Sequence, residues 1–228
     1  MESSRPGCHG RNSSRQALRR RQISEAARQL FTHLGFQNTR MMQISEEAGI
    51  KVGQIYRDFE CKEAIVAEIV RCDLDHFLDE SDLDCAIVRG DTAAVRQWVS
   101  DFVQHDRAPA KGQLLAQIVI EATRNAEIAE LFQHTDKRIR CCLERALAHL
   151  APGDTRSAAR SRLVETIMVA LMGLPFRHIA APNVDIEAAA AEISRLVLRE
   201  VDGLRTGDPA FTGPACPEGI GTDPSPSR

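Results

Sequence analysis

The segment Met41–Glu60 has the residue types and the spacing of a helix-turn-helix motif. Ser45 supplies a small side chain, Gly49 follows four residues later, and the aliphatic Ile55 follows six residues after that. Two short helices cross closely only if the first offers a small side chain, the turn accepts a left-handed backbone, and the second returns an apolar side chain to the crossing. Motifs of this kind place their second helix in the major groove of DNA, so the spacing predicts a DNA-binding module.

The charges of the sequence are divided between its two ends. Residues 1–62 contain eleven Lys and Arg against six Asp and Glu, a balance of +5, whereas residues 63–228 contain eighteen against twenty-six, a balance of −8. The net charge of the whole chain, −3, hides this division. A basic N-terminal module on an acidic body indicates that only one end of the protein meets a polyanion.

Composition and hydrophobic periodicity predict an all-α protein of 228 residues. Aromatic residues make up only 4% of the chain, which argues against strands, and apolar residues recur with a helical period almost throughout. We expect about nine helices, over residues 23–34, 39–48, 52–59, 62 to about 76, 91–102, 113–124, 125–150, 154–175 and 185–204. Thr39 is the expected N-cap of the second helix. The acidic stretch from Asp75 to Asp84 is expected to be a solvated loop.

Several classes of protein are disfavoured by what the sequence lacks. No run of about 18 apolar residues occurs, so we expect no membrane span, and residues 1–21 lack the apolar core of a secretory signal. Seven cysteines without a Cys-x-x-Cys pair suggest reduced thiols in the cytoplasm rather than a disulfide framework or a zinc site. Phosphate-binding glycine loops and hydrolase motifs are absent, so we expect no enzyme, no cofactor and no metal.

The N-terminal residues resemble a known family. The matching residues are Ile23-Ser-Glu-Ala-Ala-Arg-Gln-Leu-Phe31, Gly35-Phe36-x-x-Thr39, Ile44, Ala48-Gly49-Ile50, Gly53-Gln54-Ile55-Tyr56, Phe59 and Lys62-Glu63. They look like the N-terminal domain of the tetracycline-repressor (TetR/AcrR) family of bacterial regulators, and they cover about forty residues. Two positions depart from the usual pattern of that family: Ser45 stands where Ala is common, and Lys51 stands where Ser or Thr often caps the third helix.

The resemblance implies a homodimer that inserts its third helix into the major groove of a double-stranded DNA operator. The expected DNA contacts are Arg21, Thr39, Arg40, Lys51, Val52, Gly53, Gln54, Tyr56, Arg57 and Lys62. Thr39, Arg40, Tyr56 and Lys62 would hold phosphates, and Lys51, Val52, Gln54 and Arg57 would face base edges or flanking backbone. The chemistry agrees, because a Gln amide pairs bidentately with adenine, an Arg guanidinium pairs with guanine, and Val methyls suit a thymine methyl. Gly53 would allow the backbone to approach DNA closely.

Four arginines just before the first predicted helix are also expected near DNA. Arg15, Arg19, Arg20 and Arg21 could form a mobile arm that enters the minor groove, and a solvated helix face is the alternative. The predicted organisation is therefore a disordered basic arm at 1–14, a DNA-binding domain at 15–62 with its reading unit at 39–59, a helical ligand-binding and dimerisation domain at 63–205, and a disordered Pro/Gly-rich tail at 206–228.

Two sites in the body follow from the same resemblance. A small-molecule pocket would be lined by Phe77, Trp98, Phe102, Ile118, Phe132, Met168, Met172 and Phe176, with ordinary core as the favoured alternative for any single one of them. The dimer interface would be formed by apolar stripes on the last two helices, namely Leu163, Ile167, Ala170, Leu174, Ile186, Ala189, Ile193, Leu196 and Val197. Burial of these stripes within one subunit is the alternative.

The predicted function is a ligand-responsive transcriptional regulator of the bacterial cytoplasm and nucleoid. We expect a repressor that binds a near-palindromic operator as a homodimer and is released by a small hydrophobic effector, with the fourth helix as the lever between head and body. Two alternatives stay open. One is a helical enzyme or small-molecule carrier that uses its N-terminal module for protein contacts, and the other is a constitutive DNA-binding protein without an effector.

Overall fold

The computed structural model describes residues 9–78, 80–104 and 109–206, and over these residues it is helical almost throughout and contains no strand. The α-helices, in chain order, are α1 (His9–Leu34), α2 (Met41–Ala48), α3 (Val52–Asp58), α4 (Lys62–Leu78), α5 (Glu80–Arg89), α6 (Thr92–Gln104), α7 (Pro109–Ala122), α8 (Ala126–Leu150), α9 (Ser157–Ala180) and α10 (Ile186–Thr206). A single 3-10 turn, Asp154–Arg156, precedes α9. The predicted all-α fold is confirmed.

Helices α1 to α3 pack around an apolar core that we call the head core. Ile23, Phe31, Ile44 and Ile55 are fully buried there, and they come from all three helices. Their spacing follows the helical period, so each helix turns one apolar stripe toward the other two. Burial of these stripes fixes the mutual orientation of the three helices, since most helical stability in proteins comes from the packing of an apolar face.

The head core continues into the body of the protein. Helix α4 adds Ile65 and Ile69 to it, α7 adds Leu114 and Ile118, and α8 adds Ile128. The domain boundary predicted at residue 62 therefore falls inside a shared apolar cluster. Helices α4, α7 and α8 join the head to the body through this cluster.

A second apolar cluster, the body core, occupies the space between α4, α5, α6, α8, α9 and α10. Its buried members are Leu74, Leu78, Leu83, Ala86, Val95, Val99, Phe102, Val103, Cys142, Leu143, Ala146, Leu147, Leu150, Leu163, Val164, Ile167, Met168, Val197 and Val201. Helix α4 contributes to both clusters, since its first half lies in the head core and its second half in the body core.

The first helix is longer than the sequence predicted. α1 begins at His9 rather than at Ile23, so the predicted disordered arm is wrong for residues 9–14, while residues 1–8 lie outside the described residues. The prediction followed the apolar stripe, which starts at Ile23, but the preceding residues 15–22 are Arg, Gln, Ala and Leu, which have high helix propensity. The predicted tail lies outside the described residues from residue 207 onward.

The acidic stretch that we expected to form a loop is partly a helix. Residues Glu80–Arg89 form α5, which buries Leu83 and Ala86 against the body core. Its acidic residues Glu80 and Asp82 lie in the first turn, where negative side chains interact favourably with the helix dipole. The charge of the segment obscured this short apolar stripe in the sequence.

Helix α9 is an apolar helix of the body. Together with the preceding turn it spans Asp154–Ala180, and by length and composition alone this segment could cross a membrane, contrary to our expectation of no such segment. Its buried side chains, among them Val164 and Ile167, lie in the body core, as in the core helix of a folded domain. The helix continues past Pro175, where the sequence predicted its end.

Candidate nucleic-acid interface

The crossing of α2 and α3 has the geometry that the sequence spacing predicted. Gly49 ends α2 with φ +65°, and the peptide N–H of Ile50 donates to the carbonyl of Ser45 at 3.1 Å. The Ser45 hydroxyl donates to the carbonyl of Ile50 at 2.6 Å, so Ser45 closes the turn with both its backbone carbonyl and its side-chain hydroxyl. Ile55 returns to the crossing and is fully buried. The predicted helix-turn-helix is confirmed in these residues.

Helix α3 divides its side chains between the head core and solvent. Ile55 and the following Phe59 are buried, whereas Lys51, Tyr56 and Arg57 are exposed. Tyr56 keeps 53% of its surface accessible, although a tyrosine ring would bury substantial apolar area if it packed on the core. This exposed face of α3, which also includes Gly53 and the half-buried Val52 and Gln54, is hereafter the reading face.

Two arginines of α1 hold the end of α3 in place. Arg19 donates to both carboxylate oxygens of Asp58, from Nε at 2.5 Å and from Nη2 at 2.9 Å. Arg20 donates to the backbone carbonyl of Asp58 at 2.6 Å and lies over the Phe59 ring, 4.2 Å from its centroid. The hydrogen bonds from Arg19 hold the pKa of Asp58 below its usual value, against the opposing effect of burial. Both arginines therefore position the reading helix.

These contacts correct the prediction of a mobile arginine arm. Arg20 also pairs with Glu68 of α4 at 2.9 Å, so the guanidinium bridges two elements of the head. Arg19 and Arg20 are engaged in the fold, whereas Arg15 and Arg21 are exposed on α1. No sequence signal identified the partners, because Asp58 lies about forty residues from the arginines that bind it.

Two of the predicted phosphate ligands, Thr39 and Lys62, make hydrogen bonds within the head. Thr39 is 1% exposed, and its hydroxyl donates to the Gly35 carbonyl at 2.9 Å, which closes the turn between α1 and α2. Lys62 donates from Nζ to the carbonyls of Phe36 and Thr39, both at 2.8 Å, and lies 4.5 Å from the centroid of the Phe36 ring. Both side chains satisfy backbone groups of the head instead of facing outward.

The start of α2 also differs from the prediction. The N-cap is Arg40 rather than Thr39, and its peptide N–H donates to Oε1 of Gln43 at 2.7 Å. The Arg40 side chain is exposed, as a phosphate contact requires. Met42, which the sequence analysis did not select, is 55% exposed on α2. The sequence does indicate this exposure, because Met42 lies outside the apolar stripe of Met41 and Ile44 that faces the head core.

The predicted ligand residues are divided between the two apolar cores in the part of the chain that is described. Phe102 and Met168 are buried in the body core, where Trp98 packs against them, whereas Ile118 and Phe132 belong to the head core. Trp98 stacks on Phe102 with ring centroids 5.2 Å apart and donates from Nε1 to the Leu78 carbonyl at 2.8 Å.

The other three candidates of that set are dispersed. Phe176 is exposed on α9, Met172 is half-buried there, and the side chain of Phe77 lies outside the described part of the chain. The ligand assignment therefore stays a prediction.

The predicted dimer stripes are mostly internal. Leu163, Ile167, Leu174, Ile186 and Val197 are buried within the chain. Of the apolar residues named in those stripes, Leu196 is exposed, at 46%. The prediction assigned the inner face of α9 and α10 to the partner, because one amphipathic period cannot tell which neighbour covers a stripe.

The fold and the site together define a helix-turn-helix protein with a helical body. Residues 23–69 match the family model for bacterial regulatory proteins of the tetR family. An HTH-type transcriptional regulator of Staphylococcus aureus (strain USA300) is 37% identical over 59 residues, which are 26% of this chain and 32% of that protein. The chain thus matches about a third of the length of the curated relatives.

Solved structures share the fold of most of the chain. A TetR transcription regulator from Haloarcula marismortui has a TM-score of 0.64 at 14% identity, covering 79% of this chain and 96% of that one. The regulator FadR of Bacillus subtilis, solved in complex with stearoyl-CoA, has a TM-score of 0.57 at 16% identity, covering 78% and 96%. The resemblance inferred from the sequence is confirmed for the N-terminal helix-turn-helix module, residues 23–69, and the fold of the solved tetR-type regulators extends over most of the chain.

Proposed function

We propose that this protein is a transcriptional regulator, a repressor, that binds a near-palindromic DNA operator as a homodimer. The observation that carries the proposal is the reading face of α3, where polar and basic side chains are exposed while Ile55 and Phe59 anchor the helix from behind. A helix held rigidly by its inner face and bare on its outer face suits insertion into a major groove. Such a regulator acts in the cytoplasm at the nucleoid.

The side chains of the reading face have distinct roles in this proposal. Gln54 and Arg57 read bases, since an amide matches adenine and a guanidinium matches guanine, while Val52 suits a thymine methyl. Tyr56 and Lys51 hold phosphates, which positions the head without reading sequence. Outside α3, the exposed Arg15, Arg21 and Arg40 add sequence-independent affinity.

The proposed dimer uses the outer face of α9 and α10. Val169 and Phe176, seven residues apart on α9, are 70% and 40% exposed, and Leu196 of α10 is 46% exposed. Only 28% of the apolar window of α9 is buried within the chain, so an apolar face is left for a partner. A second copy fits this face best, because a two-fold axis there would present two reading faces to two half-sites.

We further propose that a small hydrophobic effector releases the protein from DNA. Support comes from the stacked pair Trp98 and Phe102 in the body core, which also contains Met168, since aromatic and Met side chains make adaptable ligand contacts. A structural neighbour was solved with stearoyl-CoA. The rival is a constitutive DNA-binding protein, which is favoured by the close packing of Phe102 and Ile118, 2% and 8% exposed, in two separate clusters.

The DNA-binding proposal is tested by mobility shift with fragments of the native genome at two salt concentrations. We expect retention of a small set of fragments, weaker binding by Gln54→Ala and Tyr56→Phe, and unchanged binding by Gln133→Ala, which removes an exposed amide from α8. Discrimination between fragments should fall for Gln54→Ala, whereas Tyr56→Phe should weaken all fragments alike. A chain that retained no fragment even at low salt would contradict the proposal.

The dimer is tested by analytical ultracentrifugation of wild type beside Val169→Glu and Val88→Glu. Val88 is 86% exposed on α5, so it offers the same substitution away from the proposed interface. We expect a dimer that only Val169→Glu dissociates. This arrangement would be refuted if the wild type were a monomer. It would also be refuted if the wild type bound to added lipid vesicles instead of forming a dimer.

A further inference from the structure

A cleft of about 290 Å³ lies between the head and the body. One wall is the end of α1 with the turn that follows, and the other is α7. Its polar side chains are His33, Gln37, Asn38, Gln117, Glu121 and Arg124. Ligand pockets span roughly 300–1,000 Å³, so this head–body cleft has room for a small molecule, and its lining suits a hydrophilic one.

The cleft contains a buried carboxylate with unused hydrogen-bonding capacity. The Glu121 side chain is 5% exposed, accepts a hydrogen bond from Nε2 of Gln37 at 2.7 Å, and lies 3.8 Å from Nε of Arg124. Arg124 is 59% exposed, so solvent weakens this pairing. A carboxylate can accept about four hydrogen bonds, and a charge held away from water is costly unless it is well paired. A cationic donor entering the cleft would supply the missing partner.

We propose that the head–body cleft binds a small hydrophilic cation, whose ammonium or guanidinium group pairs with Glu121. The amides of Asn38 and Gln117 hydrogen-bond the rest of the molecule. None of the residues proposed for the hydrophobic effector lines this cleft, so it is a separate site.

Occupation of the cleft would act on the DNA-binding head through Gln37. This residue lies in the turn between α1 and α2, two positions before Thr39, and its hydrogen bond to Glu121 ties that turn to α7. A cation bound to the same carboxylate shifts Glu121 within the cleft, which disturbs this hydrogen bond and changes the position of α2 and α3 relative to the body. This part of the inference rests on the proposed DNA-binding function, and by linkage DNA must weaken the binding of the cation by the same factor.

The binding step is tested by calorimetry on the full chain without DNA, with agmatine and putrescine as probes and with 1,4-butanediol and succinate as neutral and anionic analogues. We expect one molecule of agmatine or putrescine per chain and no binding of the analogues. Glu121→Gln should weaken binding at least tenfold, since it removes the charge but keeps an acceptor for Gln37. Glu130→Gln, which removes a carboxylate from α8 away from the cleft, should bind as wild type does.

A second cleft variant guards against misfolding of the first. Gln117→Ala leaves the buried carboxylate in place and should weaken binding severalfold. If neither cation binds wild type, or if Glu121→Gln binds them as tightly as Glu130→Gln does, the inference is wrong.

The coupling step is tested by mobility shift with a fragment that wild type retains. Added agmatine should lower DNA affinity for wild type and for Glu130→Gln by a factor within about 5- to 150-fold, the usual range of coupling between sites, and should do so less for Glu121→Gln. The comparison of Glu121→Gln with wild type and Glu130→Gln corrects for the general screening of DNA by an added cation, which affects all three proteins alike. Probe binding without any DNA binding would refute only the proposed function, whereas DNA binding with no calorimetric signal would refute the cleft.

Discussion

Replacement of Gly49 tests whether backbone conformation alone sets the turn of the helix-turn-helix. Its φ of +65° lies in the left-handed region, and a Cβ built on it would meet no atom within 4 Å. The cost of a side chain there is therefore conformational and not steric. An L-residue loses about 1–2 kcal/mol in this region, and the stiffer unfolded chain returns about 0.4–1 kcal/mol. Gly49→Ala should lower the free energy of unfolding by roughly 0.8 kcal/mol, the difference between the midpoints of these two ranges.

The graded response to the side chain makes the test specific. Gly49→Asn should cost less than Gly49→Ala, because Asn enters the left-handed region more readily, and Gly49→Val should cost more, because β-branched residues rarely adopt it. Urea unfolding followed by circular dichroism measures each change. The matched control is Gly53→Ala inside α3, where a Cβ also meets nothing and Ala should stabilise by about 0.5–1 kcal/mol. Equal effects of Ala at the two glycines would refute the reasoning.

Three further predictions concern the dependence of stability on pH, the reactivity of a buried thiol, and the dependence of DNA binding on salt. The pKa values of Asp58 and Glu68 are lowered, chiefly by hydrogen bonds from Arg19 and Arg20 respectively, so the stability they contribute is complete above the ordinary carboxyl range and is lost as the pH falls through about 5 to 4 and below. Urea midpoints of wild type should fall across that window more steeply than those of the double variant Asp58→Asn, Glu68→Gln, and parallel curves would count against it. Burial raises the pKa of Cys142 to about 11. Mass spectrometry at pH 8 should therefore find the exposed Cys141 alkylated by iodoacetamide well before Cys142. Equal rates of alkylation would contradict this. Operator affinity should fall with salt at a slope of roughly 0.9 per phosphate neutralised, and a slope near zero would exclude the proposed phosphate contacts.

The parts of the fold that depend on neighbours in sequence could be predicted. Ser45, Gly49 and Ile55 form one local unit, so their spacing by itself specifies the crossing of α2 and α3. The exposure of Tyr56 and Arg57 follows from the same helical period, because Ile55 and Phe59 face the core. Local geometry was sufficient for these assignments.

The parts that depend on distant partners could not be predicted. Thr39 and Lys62 are polar residues beside a DNA-binding motif, and only the fold shows that they bind backbone carbonyls of the turn after α1. Arg19 lies in an arginine-rich segment that is typical of a DNA-binding arm, yet its guanidinium donates to the carboxylate of Asp58. In each case the side chain has two chemically suitable partners, a phosphate and a protein acceptor, and sequence alone does not give the distance to either.

The head is tied to the body by more than one helix. The sequence indicated α4 as the single lever, but α7 also contributes Leu114 and Ile118 to the head core. At its other end α7 crosses α9 closely, since a Cβ on Gly112 would lie 3.2 Å from Cβ of Pro175. Phe176 of the proposed dimer face follows Pro175 directly, so a displacement of α9 at that face would act on α7 through this close contact. The two reading faces of a dimer would then be spaced by α7 as well as by α4, and the head–body cleft lies against α7, where a bound cation would act on that spacing.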